Sequence, residues 1–131
     1  MLENVKVFAL GGMDENGKSL YVVEYNDQIY VFDAGLRYPE ESLLGIDVIL
    51  PGFQYLVTRK DRIRGIFLTH GHDENMGALP FILEELGNVH VYGTNFTILS
   101  LYQTAERFNK KISSAKFHII DKNEPPHGLR N

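Results

Sequence analysis

Two histidines one residue apart, His70 and His72, follow an apolar run of β character, Ile66-Phe67-Leu68, that ends in Thr69. Residues two apart on a glycine-containing turn can aim their ring nitrogens at a common point, and neutral imidazole binds zinc at about 2.0 to 2.1 Å. The spacing permits one edge of a metal site without requiring it, because His-Gly-His is also ordinary turn chemistry. Asp73, Glu74 and Asn75 come next. Their oxygens could reach a metal, or could accept backbone N–H groups at the start of a helix, where negative charge also suits the dipole. Asp33 closes a second β-type run, Val31-Phe32, ahead of Ala34-Gly35. An aspartate there can be simply a turn former bonded to its own backbone.

The pattern from His70 to Asn75 resembles the His-x-His-x-Asp-His signature of the metallo-β-lactamase superfamily, which lies between a buried strand and a helix. The resemblance implies that His70 and His72 help hold one zinc. Glu74 stands at the aspartate's place and Asn75 at the third histidine's, where the superfamily helps hold a second zinc. Asn75 offers only an amide oxygen, poorly suited to zinc. Glu74 keeps a carboxylate but adds a methylene, which displaces its oxygens unless the backbone shifts. The resemblance also implies that Asp33 supports the histidine motif from behind, as metal-bound imidazoles usually require.

Further segments narrow the resemblance. The glycine-rich turn Gly11-Gly12-Met13-Asp14-Glu15-Asn16-Gly17-Lys18-Ser19, the segments from Val31 to Glu41 and Leu44 to Pro51, and Asp61 to Gly65 are similar to those of the ribonuclease J family. This is the RNA-degrading branch with an inserted β-CASP domain, and the similarity covers nearly residues 5 to 120. The altered motif resembles that of a catalytically weakened paralogue within the family. The implied fold class is α/β (α+β), part of an αββα sandwich with a mixed sheet and outer helices.

Other candidates carry less chemistry. His90 and His118 alternate with apolar neighbours in Val89-His90-Val91-Tyr92 and Lys116-Phe117-His118-Ile119, which predicts the outer face of a strand rather than metal ligation. His127 lies in a stretch with no matching motif. The loop from Gly11 to Ser19 fits neither a dinucleotide fingerprint nor a P-loop, so a tight turn between strands is expected. Arg59, Lys60, Arg62 and Arg64 cluster before the motif strand; they could meet phosphates, but a solvated connector is the simpler expectation.

The alternation of residue types predicts strands over 4–11, 19–26 and 28–33, a long connector over 35–61, a strand over 64–69 and a helix over 75–87. A strand over 89–92, a helix over 95–110 and a strand over 116–120 complete the order. Tyr25-Asn26-Asp27 is a hairpin signal, so the front part is expected to be an antiparallel meander. Ile98, Leu101, Tyr102, Ala105 and Phe108 fall on one helical face behind a Thr94 cap. Residues 1–121 are expected to form the N-terminal half of a metallo-β-lactamase domain, with 122–131 an irregular tail. The later histidines and aspartate of the superfamily are absent, and an uncovered sheet face is expected to favour self-association.

Composition bounds the rest. With 131 residues and 44% hydrophobic content the chain can bury one substantial core. Thirteen basic against 17 acidic residues give a net charge of −4, which argues against a stand-alone nucleic-acid-binding module. Without cysteine, disulfides and thiolate metal sites are excluded. Neither an export signal nor a membrane-length apolar run is present, so the cytoplasm is expected and a membrane partner is not.

The functional expectation is an RNA-processing nuclease that cuts from the 5′ end and internally by zinc-assisted phosphodiester hydrolysis. Its own activity is expected to be weak and its zinc occupancy, up to two in the family, reduced or absent. Its expected partners are RNA and an active paralogue, with a homo-oligomer also possible. A structural or regulatory subunit is the alternative, and a thioester hydrolase of the same superfamily a more distant one.

Overall fold

The computed structural model describes residues 5–11, 20–35, 53–69 and 76–120. Six strands form one sheet whose spatial order is the order of the chain. β1 (Val5–Gly11), β2 (Leu20–Tyr25) and β3 (Gln28–Phe32) are antiparallel, and β4 (Ile63–Phe67), β5 (His90–Gly93) and β6 (Lys116–Ile119) extend the sheet in parallel from β3. The sheet is therefore mixed, with the meander at one side and βαβ connections at the other.

Asn26 and Asp27 take φ of 51° and 62°, both left-handed. Such a pair makes the two-residue turn whose twist matches the hairpin, and Asn and Asp tolerate these angles best after glycine. Tyr25 and Gln28 thereby pair across the β2–β3 turn. The expected meander is present.

The long connector holds two elements that alternation does not reveal: the one-turn α1 (Gln54–Val57) and a 3₁₀ turn, Lys60–Arg62. No side-chain cap marks either of them. Tertiary contacts hold them instead. Tyr55 donates its hydroxyl to Glu24 of β2, and Arg62 joins the same carboxylate at 3.2 Å while donating Nε–H to the Asp27 carbonyl at 2.8 Å. Arg59 lies 3.8 Å over the Tyr55 ring. Of the four clustered cations, Arg62 thus fixes the connector to the hairpin and Arg59 braces Tyr55 within the connector, a more specific role than a solvated link.

α2 (Leu79–Leu86) and α3 (Asn95–Arg107) pack on one sheet face with α1. Leu20, Val22, Ile29, Val31, Ile66 and Val91 meet Leu56, Leu79, Leu83 and Leu101 in a single core. Gly87, at φ 79°, ends α2, and Asn109, at φ 55°, follows α3 in the position that glycine usually takes. Thr94 Oγ1 accepts from Thr97 N–H at 3.2 Å, the expected cap of α3. The proposed apolar face needs one correction. Tyr102 is 47% exposed, while Thr97 and Thr104 are buried. The stripe is rotated toward the threonines, and Tyr102 packs at its margin against Phe117, with ring centroids 5.3 Å apart.

The other sheet face carries a row of rings. Phe32, Phe67, Tyr92 and His118 come from β3, β4, β5 and β6 in turn, with successive centroids 5.3, 4.8 and 4.6 Å apart. Gly65 lies beneath it, where an added Cβ would stand 2.9 Å from Tyr92 and 3.2 Å from Phe67. A side chain there would force the stack apart. His90 and His118 occupy this face, which carries none of the described helices, as their alternation predicts, and hydrogen-bond to each other at 2.7 Å. Val5 and Val7 of the edge strand are 56% and 69% exposed.

Candidate functional site

The candidate ligands His70, His72, Glu74 and Asn75, with Asp73, lie outside the described residues, and so does His127. What is described is the frame on both sides of them. β4 runs parallel to β3 and β5, and its continuation, Leu68 N–H to the Tyr92 carbonyl at 2.9 Å, carries the chain to Thr69 at the carboxyl end of the strands. In open sheets of this kind, ligands bind beyond that end.

Asp33 emerges from β3 at the same end. It is buried and has φ 67°, a left-handed conformation uncommon outside glycine and costly enough to need support from its surroundings. The support is explicit. Its N–H donates to the Phe67 carbonyl at 2.9 Å, fastening β3's exit to β4. Its Oδ1 accepts from Thr69 N–H at 2.8 Å, and the Thr69 hydroxyl approaches Oδ1 and Oδ2 at 2.9 and 2.8 Å. A carboxylate receiving N–H and O–H donors makes stronger bonds than a neutral acceptor.

The next residue works on the other side. The Ala34 carbonyl accepts from Ala78 N–H at 2.7 Å. Asp33 and Ala34 therefore hold both Thr69, immediately before His70, and Ala78, three residues after Asn75. Thr69 and Ala78 are the contributors that residue types alone did not single out. The only sequence signal for Thr69 was a hydroxyl residue closing an apolar strand, and for Ala78 there was none, because it acts through its backbone.

Among the described residues no group of three or more His, Cys, Asp or Glu is placed to hold a metal ion. His90 and His118 lie on neighbouring strands β5 and β6, as their alternation predicts. No described helix is long and apolar enough to cross a membrane.

A mixed sheet with helices on one face, and a His-x-His segment that follows Thr69 in the sequence, define a recognisable class. Residues 13–129 match the model of the metallo-beta-lactamase superfamily, and the chain belongs to that superfamily. The crystal structure of the short form of human tRNase Z has the same fold, with a TM-score of 0.55 at 19% identity, covering 92% of this chain and 48% of that one.

Sequence comparison is more specific. The chain is 48% identical over 118 residues to ribonuclease J2 of Bacillus subtilis, covering 88% of this chain and 21% of that protein. It is 41% identical over 124 residues to ribonuclease J 2 of Streptococcus pyogenes, covering 92% of this chain and 22% of that protein. With the superfamily match, these similarities support the ribonuclease J family. The chain spans about a fifth of the length of these relatives.

Proposed function

We propose that this chain is the N-terminal part of a ribonuclease J-type protein acting in RNA processing and decay in the cytoplasm, and that His70 to Asn75 form one edge of its metal centre. The supporting observation is the double anchorage of that segment, with Thr69 held by Asp33 and Ala78 by Ala34. A ligand-bearing loop needs both of its ends fixed, since small displacements of catalytic groups cost large factors in rate.

The donor set fits zinc in part. His70 and His72 would hold one ion, Glu74 would offer a carboxylate to a second, and Asn75 would offer an amide oxygen where imidazole suits zinc better. When bound, the metal would supply Lewis-acid activation for phosphodiester hydrolysis. The chain's own contribution is positioning. Asp33 fixes the backbone of Thr69, and through it the direction in which His70 leaves the strand. The site lacks one imidazole of the family's set, so the protein's own turnover is weak and its metal occupancy low.

A second reading, a non-catalytic subunit that pairs with an active ribonuclease J, is favoured by Asn75 itself. The experiment that separates the two compares the full-length protein with its Glu74→Asp/Asn75→His double variant on 5′-monophosphorylated RNA, with matched zinc or manganese and no paralogue present. Cleavage by the unmodified protein supports a working centre. Cleavage only by the variant supports a subunit kept for its partner. Cleavage by neither, in a variant that binds metal, refutes the assignment of the centre to these residues.

A further inference from the structure

At the opposite end of the strands from Thr69 lies a cavity of about 470 Å³. Its walls come from the starts of the three parallel strands: Lys60, Asp61 and Ile63 entering β4, Asn88, Val89 and His90 entering β5, and Lys116 beginning β6. Seven residue steps of extended chain from Arg62 to Thr69 put the two ends on the order of 20 Å apart. The cavity is therefore separate from the candidate metal centre.

Its surface is mostly polar. Lys60 and Lys116 are exposed and give it a cationic rim, and Ile63, Leu86 and Val89, largely buried, contribute a smaller apolar part at its base. Among the described residues neither ammonium has an ion-pair partner, unlike Arg62, which is held by Glu24, and Lys110, which is held by Glu84. Lys116 is the register partner of His90 across the β5–β6 ladder. His90 Nδ1 is committed to His118, which leaves its Nε2 to meet a ligand. Among the described residues Asp61 is the one carboxylate of the lining and offsets one of the two lysine charges.

We propose that this cavity binds a nucleotide, with the phosphate on Lys60, Lys116 and His90 and the sugar or base over Ile63, Leu86 and Val89. The volume falls within the range of small-molecule sites, about 300 to 1,000 Å³, and the lining is mostly polar, which suits the phosphate end of a ligand better than its base. Lysine ammoniums act on phosphate as mobile point charges, so the rim requires no fixed fork geometry. The nucleotide is either free or the end of an RNA strand; the phosphate chemistry is the same.

The proposal stands independently of the metal centre and is tested without metal. Full-length protein in EDTA is titrated calorimetrically with adenosine 5′-monophosphate, inorganic phosphate and a 5′-monophosphorylated RNA hexamer. Saturable binding of the mononucleotide is expected, weakened about tenfold or more in Lys60→Gln/Lys116→Gln and strengthened in Asp61→Asn. Both lysines are exposed, so melting temperatures are expected to stay unchanged. A hexamer that binds tighter than the mononucleotide, with the same variant dependence, identifies an RNA end; equal affinities identify a free nucleotide. Absence of saturable binding, an undiminished affinity in the double variant, or inorganic phosphate binding as tightly as the mononucleotide would overturn the proposal.

Discussion

Asp33 concentrates three demands on one position: a left-handed backbone, a buried carboxylate, and hydrogen bonds to the residue that precedes His70. Asparagine tolerates the backbone angle and keeps one amide oxygen for Thr69 N–H, whereas alanine loses every side-chain bond and suffers the strain. Asp33→Ala is therefore expected to destabilise the protein by about 2 to 4 kcal/mol in urea denaturation, and Asp33→Asn by clearly less. If Asp33 orients the histidines as proposed, Asp33→Asn in a cleavage-competent variant lowers the rate about 10- to 100-fold while leaving the fold intact. Gly65 offers a purely steric contrast. Gly65→Ala drives a methyl into the Tyr92 and Phe67 rings and is expected to cost about 1 to 3 kcal/mol, read in the same denaturation assay.

Tyr92 adds a pH signature at this scale. Burial raises its phenol above the ordinary value of 10.0, and the nearby Arg64 charge pulls it partly back. The folded state therefore holds the proton more tightly than the unfolded state does. The associated stability is full below the unfolded value and is lost as pH rises through the folded one. Melting temperatures of the wild type and Tyr92→Phe are expected to converge above about pH 10, since only the wild type loses this contribution.

At the scale of elements, α3 and the connector show what sets the boundaries. Thr94→Ala removes the only side-chain cap observed on the described α-helices and is expected to cost about 1 kcal/mol in chemical denaturation. The strands, the hairpin and this cap were legible because alternation, Asn-Asp and Thr-x-x-Thr are local signals. α1 and the 3₁₀ turn were not, since what holds them is the Glu24, Tyr55 and Arg62 cluster, and Arg62 lies 38 residues from Glu24 in sequence. Asp33 was legible as a supporting residue only through family resemblance. Its partner Thr69, 36 residues away, appears only once β3 and β4 are side by side.

For the molecule as a whole, the two sheet faces are unequal. One is covered by the described helices; on the other the Phe32, Phe67, Tyr92 and His118 rings pack against one another with Tyr92 buried, and the exposed apolar side chains there include Val5 and Val7 of the edge strand. An edge strand with exposed apolar side chains invites pairing with a second chain. The isolated chain is expected to self-associate in sedimentation velocity runs as concentration rises, and Val7→Lys to shift it toward monomer; a concentration-independent monomer would refute this reading of the face.

The sheet's strand order, identical to the order of synthesis, has a consequence for how the molecule is made. Each of the described strands adds beside the one before it, and none of them must insert between two that have already paired. A ribosome releasing this chain from its N-terminus could let the sheet grow at a single advancing margin, with the β2–β3 hairpin as the first pairing that needs no long loop closure. Among the described strands, the frame that holds Thr69 and Ala78 is in place once β5 has emerged.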